Sequence, residues 1–152
     1  MSTTDRGSVA AMSFDPSPRG EQLRQELLTF MAERVRPAET VYEEQMEASG
    51  DPHHHPQVLE DLKAEARSKG LWNLFMPRPT AWTPDPLPNL DYAHLAEILG
   101  TSHIASEALN CSAPDTGNME VLALFGTDAQ KEEWLAPLMA GEIRSAFAMT
   151  EP

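Results

Sequence analysis

"LFGTDAQKEEWLAPLMAGEIRSAFAMTEP", residues 124–152, carries two structural patterns in one stretch. Thr127 and Gln130 have the spacing of a capping box, in which the hydroxyl accepts from the N3 amide while the glutamine reaches back. Trp134, Leu135, Leu138 and Met139 follow at helical spacing, Pro137 bends that helix and Gly141 closes it. Past Arg144 the pattern alternates. Ala146, Ala148 and Thr150 fall on one side and Phe147, Met149 and Glu151 on the other, as a strand would place them.

Upstream, every pattern is helical or loop. Leu23, Leu27, Phe30, Met31 and Val35 predict a helix over 19–35. Pro37 interrupts it and suits the first turn of a second helix. After "SGDPHHHP" a third helix starts at Pro56, buries Val58, Leu59, Leu62 and Ala66, and stops at Gly70. The apolar "LWNLFMP" must reach the core. Residues 77–89 hold five of the 13 prolines and predict an extended loop. Tyr92, Leu95, Ala96 and Leu99 mark the next helix, a short one runs through "SHIASEAL", and another through "TGNMEVLALF" ends at Gly126. The fold class is therefore all-α: an orthogonal or up-down bundle of about six helices, with the start of a β-strand at the C-terminus. Residues 1–15 read as a flexible leader with no apolar core of a secretory signal, 16–143 as the helical domain, and 144–152 as the first strand of a further domain.

Composition bounds the function. With 41% hydrophobic and 23% charged residues, the 152-residue chain is globular in type. No apolar run approaches the roughly 20 residues that cross a bilayer. The formal charge of −13 opposes nucleic acid and anionic membrane, though it leaves room for a phosphate-bearing cofactor. The lone Cys111 excludes an internal disulfide and reads as a small buried apolar residue. His53, His54 and His55 diverge as neighbours and read as a polar loop, so no metal site is expected. Glu97, Glu107, Asp115, Glu120 and Glu151 are carboxylates without an established convergence, and most acidic residues read as solvated faces. Met31, Trp72, Phe75, Phe125 and Trp134 fall at core spacing, whereas Trp82 either clamps the proline loop or meets another surface.

The opening stretch also closely resembles the end of the N-terminal helical domain of acyl-CoA dehydrogenases. There a helix of pattern "YGT–x–x–QK–x–x–WL–x–PL–x–x–GE" leads into a strand "x–F–x–x–TEP". The matching positions here are Gly126, Thr127, Gln130, Lys131, Trp134, Leu135, Pro137, Leu138, Gly141 and Glu142, then Phe147, Thr150, Glu151 and Pro152. "GLWNLFMP" (70–77) and "LAEILG" (95–100) are similar as well, and "NCSAPDTGNMEVL" (110–122) resembles the branch of the large kinase-fused members.

The resemblance implies an FAD-dependent oxidation of an acyl-CoA thioester between its α and β carbons, as in fatty-acid β-oxidation. It implies that Phe147, Ala148, Met149, Thr150 and Glu151 run beside the flavin, with the Thr150 hydroxyl on its ring. Ala113, Gly117 and Asn118 fall where the family lines the acyl-tail cavity. The catalytic carboxylate, and most of the FAD site, belong in the family to a middle β domain and a C-terminal bundle that these residues do not include. The chain alone is thus expected to be inactive. The implied partners are acyl-CoA, an electron-transfer flavoprotein or similar acceptor, the missing domains, and further copies in a homo-oligomer; the implied location is the cytoplasm. A rival reading is a non-catalytic helical binding or assembly module that pairs with a subunit carrying the remaining domains.

Overall fold

The computed structural model describes residues 13–149, which form helices and loops. Among them lie six continuous helical runs, as the all-α expectation requires. The first joins α1 (Pro18–Phe30), a π-helical turn (Met31–Val35) and α2 (Arg36–Ser49). Then come α3 (Gln57–Ser68), α4 (Asn89–Leu99), α5 (Ala105–Ala108) and α6 (Asp115–Phe125). The last run joins α7 (Asp128–Gln130), a second π turn (Lys131–Leu135) and α8 (Ala136–Ala140).

The break expected at Pro37 does not occur. Proline lacks the N–H that would bond four residues back, and its ring crowds that carbonyl. The π turn removes the conflict: the Arg36 amide reaches back five residues to the Met31 carbonyl, and Pro37 follows in the widened turn. Pro137 is accommodated in the same way, behind the Ala136 amide on the Lys131 carbonyl. The capping box forms as read, with Thr127 accepting from the Gln130 amide and Gln130 from the Thr127 amide.

α1 packs on α4, α2 and α5 on α3, and α6 on the run that ends in α8. Leu27, Val35, Ala66, Leu71, Leu95, Leu109 and Leu135 are wholly buried between them. At the N-terminal end Ser17 caps α1 and donates its amide (2.7 Å) and hydroxyl (2.6 Å) to the buried Asp91 of α4. The proline loop is anchored by buried Leu87 and by Arg19, whose guanidinium donates to the Asp85 carbonyl at 2.9 Å. Trp82 lines a hollow between that loop and Ala123, Lys131 and Ala136.

Two expectations are corrected. Phe125 and Trp134 are not core residues: they are 80% and 50% exposed. α6 is apolar almost all round after Glu120, so burying Met119 leaves Val121, Leu124 and Phe125 facing outward. Residues 144–149 form no strand. A strand is defined by its ladder, and no strand stands beside them among the described residues.

Candidate functional site

Gly117, among the predicted acyl-lining residues, and Phe147, among the predicted flavin-facing ones, meet at one side of α6. Asp115 opens this helix and is 2% exposed. Its carboxylate accepts from the Ser145 amide and the Ser145 hydroxyl, both at 2.6 Å, and from Arg144 Nε. Asn118, one turn along, donates to Ser145 Oγ at 2.8 Å. Phe147 lies over Gly117, where a Cβ would stand 3.4 Å from its Cζ. Gly117 thus lies against Phe147 of the predicted flavin segment, and Asn118 holds Ser145, two residues ahead of it.

Charge extends the network inward. Arg144 pairs with Glu107 of α5 as well as with Asp115, and Glu107 is 3.3 Å from Lys63 of α3. Lys63 is 5% exposed and also bonds Glu60 at 2.7 Å. Burial pushes the Glu107 carboxyl upward, but the Arg144 hydrogen bond and charge, with those of Lys63, outweigh it and hold it below its ordinary value. Burial pulls the Arg144 guanidinium down, but the hydrogen bonds and charges of Glu107 and Asp115 outweigh it and raise it.

Of the other expected site residues, Ala113 is exposed in the turn ahead of α6, joined to Pro114 by a cis peptide, and takes no part in these hydrogen bonds. Phe147, Ala148 and Met149 are exposed. Among the described residues, no backbone group of Ala146 to Met149 has a backbone partner. Thr150 and Glu151 lie outside the described residues, as does most of the expected leader.

The sequence profile described as acyl-CoA dehydrogenase, N-terminal domain, matches residues 17–142. The chain belongs to the acyl-CoA dehydrogenase family. It is 49% identical to a probable acyl-CoA dehydrogenase of Mycobacterium tuberculosis over 93% of its own length and 34% of that protein's. It is 48% identical to acyl-CoA dehydrogenase family member 10 of Mus musculus, over 90% of its length and 13% of the relative's. A solved structure from Mycobacterium abscessus, provisionally assigned as an acyl-CoA dehydrogenase, superposes with a TM-score of 0.79 at 44% identity; the match covers 91% of this chain and 35% of that one. The chain spans about a third of the M. tuberculosis relative's length and of the M. abscessus chain.

In this acyl-CoA dehydrogenase domain a second polar cluster fixes the end of α8, just ahead of the site. The Met139 carbonyl accepts from Trp72 Nε1 at 2.8 Å and Asn73 Nδ2 at 2.9 Å. The Leu138 carbonyl accepts from Asn110 Nδ2 at 2.9 Å, and Arg67 donates to the Ala140 carbonyl while stacking over Trp72. Helix ends leave carbonyls without intrahelical partners, and these side chains supply them. Gly141 then turns the chain at φ 70, toward Arg144.

The sequence names Asp115 and Glu107 as carboxylates but does not show that they converge. The missed signal lies on α3, where Lys63 shares the apolar stripe of Leu59, Leu62 and Ala66. A lysine buried at such a position requires carboxylate partners.

Proposed function

We propose that this chain is the N-terminal helical domain of an FAD-dependent enzyme that oxidises an acyl-CoA thioester between its α and β carbons. The observation that carries this reading is the exposed segment Ala146–Met149, whose backbone groups have no backbone partner among the described residues, held beside Gly117 and Asn118. Its composition fits an isoalloxazine. Phe147 and Met149 offer apolar contact to a planar ring, and exposed amides and carbonyls match a ring edge that both donates and accepts. When bound, FAD supplies the two-electron acceptor. Phe147, Ala148, Met149, Thr150 and Glu151 would line it, with Gly117 and Asn118 toward the acyl tail and Ala113 at the cavity's outer turn. The Asp115–Ser145 contacts orient the segment, and the Thr150 hydroxyl is proposed to donate to the ring. The general base, the rest of the cofactor surface and the docking of an electron acceptor such as electron-transfer flavoprotein are assigned to polypeptide outside residues 1–152. Domain limits of 16–143 and 144–152, homo-oligomeric assembly of the whole enzyme, a cytoplasmic location and a place in fatty-acid oxidation belong to the same proposal.

The test is a chimera in which this chain replaces the matching third of the M. tuberculosis relative. It should purify yellow, and acyl-CoA of a suitable length should bleach the flavin absorbance and reduce a dye. Phe147→Ala should weaken flavin retention. A folded chimera that binds no flavin, or whose flavin no short, medium or long acyl-CoA bleaches, refutes the reading.

A further inference from the structure

We propose that Asp115 is a positioning residue, whose carboxylate pins the chain at Arg144 and Ser145 and so sets how Phe147 and Met149 stand relative to Gly117 and Asn118. The inference rests on the reading of residues 147–149 as flavin-facing.

Among the described residues, the hydrogen bonds that reach the segment after Arg144 all end on Ser145, from Asp115 and Asn118. The Asn118 bond is neutral, whereas those to Asp115 are made to a buried carboxylate and are the stronger class. The Ser145 hydroxyl donates to Asp115 and accepts from Asn118, so a single side chain joins both helix positions to the segment. Phe147 follows only two residues later, too near to swing far while Ser145 is held. Arg144 adds direction. Its guanidinium bridges Asp115 on α6 and Glu107 on α5, so the chain leaves the bundle between two fixed points. Most of the core comes from α1, α3, α4 and the run ending in α8, and α6 joins it through Met119, a turn beyond Asp115, so loss of the Asp115 carboxylate should free the segment without melting the bundle.

The isotope-labelled 152-residue chain tests this directly. In the wild type the Phe147 ring should show a nuclear Overhauser contact to Gly117, and the Ser145 amide should exchange slowly. In Asp115→Ala that contact should vanish and Ser145 should exchange at least about tenfold faster, while the Trp72 indole signal stays in place. Should Asp115→Ala fail to fold, Asp115→Asn keeps the shape and loses the charge, and is read for the same changes at a smaller size. A Ser145 and Phe147 that stay in place in the folded variant overturn the proposal, as does a wild-type chain that lacks the contact. In the flavin-loaded chimera, Asp115→Ala should slow flavin bleaching at least about tenfold with flavin still bound; unchanged bleaching removes the positioning role. A chimera without flavin refutes the flavin reading, whereas an unmoved segment in the chain refutes the pin alone.

Discussion

Gly141 and Gly50 share a left-handed backbone, with φ of 70 and 64, and differ in what surrounds them. A Cβ at Gly50 would meet nothing within 4 Å, whereas one at Gly141 would come within 2.8 Å of the Trp72 ring and 2.9 Å of Arg67. Gly50→Ala should therefore cost about 1 kcal/mol, the conformational term alone. Gly141→Ala should cost at least about 2 kcal/mol, because the ring and guanidinium that cap α8 must also move. Chemical denaturation of the two variants separates the terms, and equal losses would refute the argument. Cys111 makes a second residue-scale test. Burial pushes its thiol from 9.0 up to about 11, despite hydrogen bonds from its surroundings. At pH 8 the folded chain should react with a disulfide reagent at least about a hundredfold slower than the chain in urea, since the thiolate is the nucleophile. A folded value above the unfolded one favours the native state fully below pH 9.0, and that contribution is lost as pH rises through about 11. Cys111→Ala should thus flatten the alkaline fall in denaturation midpoint, leaving the part due to Tyr92, whose phenol burial also raises.

Helix ends and helix interruptions carry the element scale. Past α5 and its capping Leu109, Asn110 is left-handed at φ 53, with the Cys111 amide bonded to the Ser106 carbonyl at 2.7 Å. The asparagine does what glycine does at such ends and then reaches across to Asn73 and the Leu138 carbonyl. Asn110→Gly keeps the backbone and removes only the bridge, so it should cost about 1–3 kcal/mol, measured by the shift in urea midpoint. Asn110→Ala should cost more, because it adds backbone strain. A smaller loss in Asn110→Ala than in Asn110→Gly would show that the bridge is not what selects asparagine. This scale also shows what the sequence could reveal. The capping box is legible because both partners lie within four residues. Pro37 was legible as a disturbance but not as a continuation, since a π turn has no sequence marker beyond the proline it precedes. The other five helical runs follow from local periodicity. The charge network does not: Lys63 and Glu107 sit 44 positions apart, as their numbers show, and only packing of α3 on α5 pairs them.

At the scale of the molecule two forces oppose one another. The chain carries a formal charge of −13, which keeps copies apart. It also presents Val121, Leu124 and Phe125 on the outer face of α6, with Trp134 exposed on the run beside it and Phe147 and Met149 beyond. Amphipathic patterning located the buried faces of α1, α3 and α4 but failed at α6, whose residues are apolar on both sides. Only the neighbours decide which side is covered. In the proposed enzyme the remaining domains would cover this outer face, and in the chain alone it meets water. Isolated apolar side chains on a surface are ordinary, but several on adjoining helices favour association. Charge repulsion is screened over about 10 Å at 0.1 M salt and about 3 Å at 1 M, whereas apolar attraction is not weakened by salt. The chain should therefore sediment as a monomer at low ionic strength and associate progressively as sodium chloride rises toward 1 M. Phe125→Glu should suppress that association and leave the thermal midpoint nearly unchanged, because an 80% exposed ring contributes little to the core. Sedimentation velocity across a salt series measures both. Association that weakens with salt would mean that charge pairs, not this apolar face, bring copies together. A large drop in midpoint for Phe125→Glu would mean that the ring is packed after all.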